Sequence, residues 1–326
     1  MRLILLLLPN VLDSSLGVTL DVANTANQLS RAAGHNALFD ILIVSTHRGQ
    51  THTANGLVYR RLAKLPSPSA DDLVVLPGVL ALDDDALSTW LVSPEVGAAV
   101  HWLRLAHARG AWIAAGCTGT FVLASSGLLD GLSATTTWWL ATSFSSRFPA
   151  VRLDLEHMVV GEDRIVTAGA ALAQADLLLH LVERFGSQRL AYDCSRFLLF
   201  DGRAMQSPYP MLAHLLRRDP FLERIERWLA DRLVDGFKVE ALAEALHVSP
   251  RTLARRLKAK IGISVIDLVH RMRAERAVHL LETTQFPLPE IAARVGYADA
   301  ATLRRLLQKS IGLTPSGIRA RVGKAV

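Results

Sequence analysis

One of the chain's two cysteines lies among small residues, in Ala114-Ala115-Gly116-Cys117-Thr118-Gly119-Thr120. An apolar run ends at Gly116 and a helical pattern begins near Thr118, so the thiol falls in a tight strand-turn-helix elbow. A thiol at a helix N-terminus feels a dipole that lowers its pKa and sharpens its nucleophilicity. Leu76-Pro77-Gly78 closes another apolar run and offers backbone N–H groups of the kind that form an oxyanion hole or anion site. Thiol catalysis also needs a base to take the proton. The other cysteine, in Tyr192-Asp193-Cys194-Ser195, reads as a core or helix residue. His47 and His52 sit in a polar stretch and read as ordinary surface histidines. The chain holds no CxxC, HxxxH or HExxH spacing and no glycine-rich phosphate loop, so neither a metal nor a cofactor is expected.

A second constellation is basic, and it repeats. At an offset of 49, Leu242-Ala243 falls on Ile291-Ala292 and Leu246 on Val295. At an offset of 50 beyond the turn, Thr252-Leu253 falls on Thr302-Leu303, Arg255 on Arg305, Leu257 on Leu307 and Ile261-Gly262 on Ile311-Gly312. Each copy reads as a short helix, a turn and a second helix. Ser249 caps the first second-helix with Pro250 at its first position, and Asp299 caps the other. Gly262 and Gly312 suit the left-handed residue that ends a helix. Leu253 with Leu257, and Leu303 with Leu307, point inward, while Arg251 and Arg255 share another face. Basic residues on the outer side of such a second helix suit the major groove of DNA. Between the copies, Ser264 to Glu282 reads as one helix, apolar at Ile266, Val269, Met272, Ala277, Leu280 and Leu281. Nineteen residues span about 28 Å, close to the roughly 34 Å of one DNA turn.

The elements around these constellations fall into two kinds. At 326 residues, half of them hydrophobic, the chain can bury a sizeable interior and suits two domains. Arg2–Leu8, Phe39–Ser45, Asp72–Leu76, Ala111–Ala115 and Arg164–Ala168 read as strands, most without polar alternation, as in a sheet covered on both faces. Helical periodicity over 19–33, 94–109, 118–129 and 171–185 alternates with them, which implies an α/β sandwich with a mostly parallel sheet. Asp13 to Asp21 reads as an irregular loop, and Pro66–Ser69 and Asp83–Asp85 as surface loops. Turn formers crowd residues 201–210, and beyond Leu212 only helical patterns remain, so domains are expected at 1–208 and 212–326. Charge follows the same division: residues 212–326 carry 21 Lys+Arg against 12 Asp+Glu, a balance of +9, and residues 1–211 carry 15 against 18, a balance of −3. A basic block beside a mildly acidic one points to a nucleic-acid module joined to something else. The first apolar run, Leu3 to Leu8, is far short of a membrane span, and two cysteines suit a reducing compartment, so a cytoplasmic protein without a membrane partner is expected.

Residues 222–322 resemble the DNA-binding domain of the AraC/XylS family of bacterial transcription regulators, most clearly in L-P-E-I-A-A-R-V-G-Y-A-D-A-A-T-L-R-R-L-L-Q-K-S-I-G-L-T-P-S-G-I-R (288–319). The resemblance implies base-facing roles for Arg251, Ala254 and Arg255 in the first recognition helix and for Ala300, Ala301, Thr302 and Arg305 in the second. Thr252, Lys258, Arg304 and Lys309 complete the DNA-facing set. Leu303 and Leu306 stand where the family often has Phe, which alters packing and not the reading surface. With alanine at 254, 300 and 301, specificity leans on the arginines, thymine-methyl contact and DNA shape.

Residues 3 to about 208 are similar to the PfpI-type, class I glutamine amidotransferase-like domain, a flavodoxin-like fold. The similarity runs through V-V-L-P-G (74–78), G-C-T-G (116–119), L-L-D-G (128–131), T-A-G-A-A-L-A-Q-A-D-L-L-L-H-L-V (167–182) and M-Q-S-P-Y (205–209). Regulators of this combined architecture commonly carry A-T-T-H-W after the L-L-D-G element, where this chain has Ala134-Thr135-Thr136-Thr137-Trp138. Threonine cannot take a proton at neutral pH, so Cys117 is expected to mark a degenerate nucleophile position, with Gly78, Cys117, Thr118, Thr137 and Trp138 lining a ligand site. The resemblance implies a DNA-binding transcription regulator, a homodimer, whose first domain senses a small-molecule effector or dimerises. Its partners are double-stranded DNA and, for an activator, RNA polymerase. The alternative is a PfpI-type thiol hydrolase or amidase that uses Cys117 and carries a DNA-binding tail.

Overall fold

The computed structural model describes residues 1–203, except 48, 61, 82 and 83, and residues 219–322, except 262. The chain divides into two compact units, Met1–Gln206 and Ser207–Val326. The junction itself, with the Met205–Tyr209 motif, lies outside the described residues, as do Asp83 and Gly262.

In the first unit, six strands form one sheet: β1 (Arg2–Leu7), β2 (Asp40–Ser45), β5 (Asp72–Leu76), β6 (Trp112–Gly116), β9 (Val159–Glu162) and β10 (Ile165–Ala168). Their order is β2-β1-β5-β6-β10-β9, parallel throughout except for the antiparallel β9–β10 edge. β3 (Thr51–His52) pairs with β4 (Val58–Tyr59), and β7 (Ser133–Ala134) with β8 (Arg152–Leu153), in two small ribbons outside this sheet. β1 and β5 are hydrophobic on both faces because both faces are covered. Ile4, Leu6, Val74 and Leu76 pack with helices α2 (Asp84–Leu91), α3 (Pro94–Ala108) and α4 (Gly119–Ser125). On the other face, Leu3, Leu5, Leu7, Leu73 and Val75 pack with α1 (Asp13–Ala32) and α6 (Ala173–Phe185). The fold is flavodoxin-like, with α5 (Ala141–Arg147) and α7 (Gln188–Phe197) completing its helices.

Three expectations change. Asp13 to Asp21 is helical, the start of α1, because Ser15, Leu16 and Thr19 are buried and packing overrides the weak helix propensity of Ser, Gly and Thr. Asp84 and Asp85 belong to the first turn of α2, where carboxylates complement the helix dipole. The helix after Cys117 stops at Ser125, well before residue 129.

The second unit is helical throughout its described residues: α8 (Pro220–Ala230), α9 (Val239–Ala245), α10 (Pro250–Ile261), α11 (Val265–Thr283), α12 (Leu288–Arg294), α13 (Ala300–Ile311) and α14 (Pro315–Val322). Ser264 and Asp267 close a reciprocal capping box on α11, a rod of 19 residues. The rod serves two cores. Val265, Leu268, Val269 and Met272 pack with α8, α9 and α10, whereas Ala274, Ala277 and Leu281 pack with α12, α13 and Ile318. Ile266, one of the apolar positions of the rod, is exposed, because it points well away from the side of the helix that buries Val265, Leu268 and Met272.

Candidate nucleic-acid interface and cysteine elbow

The two repeats are matched turn for turn. α9 and α12 have 7 residues each, and α10 and α13 have 12 each. Val248 N–H donates to the Ala243 carbonyl at 3.0 Å, and Tyr297 N–H to the Ala292 carbonyl at 2.9 Å. The turn residue is left-handed in both, with φ of 55° at His247 and 84° at Gly296. Both N-caps form as expected: Ser249 Oγ accepts from Thr252 N–H at 3.1 Å, and Asp299 Oδ1 from Thr302 N–H at 2.8 Å. Gly312 ends α13 in the left-handed conformation.

Leu253, Leu257, Leu303 and Leu307 are fully buried, which orients each second helix. Arg251, Ala254, Arg255 and Lys258 are exposed on α10, and Ala301, Arg304, Arg305 and Lys309 on α13, with Thr252, Ala300 and Thr302 half-buried at the caps. Arg305 Nη2 donates to Thr302 Oγ1 at 3.2 Å, and that hydroxyl donates to Asp299 Oδ2 at 2.9 Å. The cap thereby orients the arginine. Among the described residues, Arg251, Arg255, Lys258, Arg304 and Lys309 have no carboxylate within ion-pair distance. Two uncompensated cationic surfaces on matched helices attract a polyanion.

In the first unit, Gly78, Cys117, Thr118 and Thr137 do converge. Cys117 sits at the turn with φ of 54°, and its N–H donates to the Ala168 carbonyl at 3.0 Å, pinning the elbow to β10. The space in front of the thiol is filled. A methyl group on Gly78 would lie 2.8 Å from Cys117 Cβ, so only glycine fits. Thr118 Oγ1 accepts from Val79 N–H at 2.7 Å and donates to the Val79 carbonyl at 2.8 Å. The amide next to the expected oxyanion segment is therefore engaged. Thr136 Oγ1 donates to the Cys117 carbonyl at 2.8 Å. Trp138 stands at the edge, half-buried, its ring 5.5 Å from that of Trp139.

Cys117 is 1% exposed. Burial pushes its thiol up to about 11, against a smaller opposing contribution from the Thr118 backbone N–H. The helix dipole does not produce the expected low pKa, because desolvation of the thiolate outweighs it. Cys194 is buried in α7, as expected, and burial likewise raises its thiol to about 11.

Sequence reasoning missed a cavity of about 310 Å³ lined by Pro9, His47, Gln50, Thr51, His52, Trp90, Ser93 and Glu95. It adjoins the carboxyl ends of β1 and β2, beside the β1–β5 junction where the sheet reverses its order, the usual ligand position in an open α/β sheet. His47 and His52 are exposed, as expected, yet both line it. His47 Nδ1 lies 3.2 Å from Glu95 Oε1, and Gln50 Nε2 lies 3.3 Å from His52 Nε2. The Trp90 indole N–H is buried and has no partner among the described residues. The segment Pro9–Leu12 links cavity and elbow: Asn10 N–H donates to the His52 carbonyl, Leu80 N–H to the Asn10 carbonyl, and Leu12 N–H to the Gly78 carbonyl.

An α/β sandwich with a cysteine elbow, joined to two helix-turn-helix units on one rod, defines a DNA-binding regulator with an added α/β domain. The sequence model of the DJ-1/PfpI family matches residues 1–184, and that of a helix-turn-helix domain matches residues 242–321. The chain belongs to the DJ-1/PfpI family and joins that domain to an AraC-type helix-turn-helix domain, the composition of an HTH-type transcriptional regulator. The HTH-type transcriptional regulator GbdR of Pseudomonas aeruginosa is 25% identical over 313 residues, covering 95% of this chain and 82% of its own length. CdhR, another HTH-type transcriptional regulator of that organism, is 24% identical over 290 residues, covering 88% and 83%. The crystal structure of a THiJ/PfpI family protein from Pseudomonas syringae shares the fold, with a TM-score of 0.52 at 18% identity over 71% of this chain and 86% of that one. Among the described residues, no helix is long and apolar enough to cross a membrane.

Proposed function

We propose that this regulator reads DNA sequence with α10 and α13, and that its α/β domain senses a small metabolite without transforming it. The observation that carries the reading is the pair of matched helices, each capped by a side-chain oxygen that accepts from the third N–H and each presenting an exposed arginine at the same step of the repeat: Arg255 and Arg305. Base edges are read by Arg251, Ala254, Arg255, Ala300, Ala301, Thr302 and Arg305, and phosphates by Lys258, Arg304 and Lys309. Thr252, whose N–H is held by the Ser249 cap, stands at the groove wall.

The sensing role belongs to the cavity beside β1 and β2. Its position, its volume and the unpartnered Trp90 N–H support this assignment. The elbow, where Gly78, Cys117, Thr118, Thr137 and Trp138 were expected to line a ligand site, connects to this cavity through the bond from Leu12 N–H to the Gly78 carbonyl. A sealed thiol whose pKa lies near 11, with Thr137 in place of a base, supports a non-catalytic elbow. The regulator works as a homodimer in the cytoplasm, with RNA polymerase as a partner where it activates.

Selection of binding sites from random duplexes is expected to return a two-part motif with its halves about one helical turn apart. Retention of every sequence alike would overturn the regulator reading. Metabolites that raise the melting temperature of the wild type and not of Trp90→Phe would identify the effector and its site. Amide turnover abolished by Cys117→Ser would restore the enzyme reading.

A further inference from the structure

The two cores of the helical unit meet at one side chain. Along α11, Met272 is the last residue to pack with the first core and Ala274 the first to pack with the second. Arg273 lies between them. Its Nε and Nη2 donate to the Leu233 carbonyl at 2.9 and 2.6 Å. That carbonyl lies just beyond the C-terminus of α8, where the helix dipole favours a cation. Leu233 is itself a buried member of the first core. The other side of the guanidinium covers the Tyr297 ring of the second repeat, 4.9 Å from its centroid. Tyr297 is held in turn by the rod, its hydroxyl 2.7 Å from His270 Nδ1 with the two rings stacked 6° from parallel.

The turn of the second repeat is cut to fit this arrangement. A methyl group on Gly296 would lie 2.6 Å from the Leu233 carbonyl oxygen and 2.8 Å from Arg273 Nη2. The equivalent turn of the first repeat carries His247, exposed, at a similar left-handed φ. The second turn is pressed against the first core and the rod, and the first turn leaves its residue exposed.

We infer that Arg273 is a positioning residue that fixes the angle between the two reading helices and thereby sets the half-site spacing the protein accepts. A helix alone can bend and twist between its two cores. A planar guanidinium that donates twice to a carbonyl of the first core and stacks on the second repeat resists both movements. Arg273 itself reads no base. The inference rests on the two-headed reading proposed above.

The test uses the full chain and duplexes chosen by the wild type, with the DNA between the half-sites lengthened or shortened by one base pair. Each added pair shifts one half-site by roughly 3.4 Å and turns it by roughly 35°. The wild type is expected to lose about tenfold in affinity for either altered spacing. Arg273→Gln is expected to shrink that penalty to about threefold or less, with both half-site preferences unchanged, and Arg273→Lys to fall between. Tyr297→Leu, which removes the stacked ring and leaves the bonds to Leu233 in place, is expected to relax spacing as well, so the test survives if Arg273→Gln folds poorly. A variant that weakens all spacings equally, or keeps the wild-type penalty, overturns the inference and leaves the two-headed reading standing. Wild-type indifference to sequence overturns both.

Discussion

His247 and Gly296 stand at the same step of the two helix-turn-helix turns, both left-handed, and only His247 has room for its side chain. The left-handed backbone disfavours a residue with a Cβ by about 1 kcal/mol. His247→Gly is therefore expected to stabilise the protein by roughly 0.5–1 kcal/mol, since an exposed ring gives up little packing. Gly296→Ala is expected to cost more than about 2 kcal/mol, because it adds the clash with Leu233 and Arg273 to the strained φ. Urea midpoints at unchanged slope would measure both. Equal effects at the two turns would contradict this account.

Cys117 should leave a mark on stability at high pH. In the unfolded chain a cysteine ionises near pH 8.5, whereas in the fold burial holds the thiol neutral up to about 11. Between these values the unfolded state binds fewer protons, so stability falls as pH rises. The contribution is fully present below about pH 8.5 and lost as pH climbs through about 11. The stability gap between wild type and Cys117→Ala is expected to narrow by about 3 kcal/mol across that window in urea unfolding. A gap independent of pH would show a thiol that ionises freely in the native state. Native protein at neutral pH should also leave Cys117 unlabelled by iodoacetamide.

DNA affinity should depend steeply on salt. If the two helices and their flanks hold roughly six phosphates, log K is expected to fall against log salt with a slope of about −5. A flat titration would remove DNA as the main partner.

Arginine and lysine changes should separate. Arg255→Ala is expected to relax sequence preference in one half-site and Arg305→Ala in the other, each by about 1–3 kcal/mol of discrimination. Lys258→Ala or Lys309→Ala is expected to weaken all sequences alike and to reduce the salt slope by about one. Binding-site selection with each variant decides. Arginine variants that lose affinity yet keep the wild-type motif would be phosphate contacts.

Much of this was legible in the sequence because the signals are physical and local. β1, β2, β5, β6 and β10 lie within a residue or two of their expected bounds, since a doubly covered strand has no polar alternation to obscure it. The caps at Ser249 and Asp299 and the rod of α11 follow from side-chain chemistry and 3.6-residue spacing. β9 was missed because it is an edge strand, half-buried and only four residues long. The start of α1 was misread because Ser15 and Thr19 are helical only by virtue of what they pack against. At the elbow, residue order revealed the turn at Cys117 and not its burial, which depends on Gly78 closing in from 39 positions away. The cavity was invisible for the same reason: Pro9, His47 and Trp90 share no motif and meet only when the strand ends are assembled.

The division of α11 between two cores bears on how the helical unit comes apart. Duplicated modules can often be trimmed to a single copy, but here each copy borrows half of one helix. A fragment cut between the repeats would leave either Leu268 and Met272 or Ala277 and Leu281 facing water with nothing to cover them. Melting of one repeat unravels the helix that the other needs, so the pair gains and loses structure together in one cooperative transition.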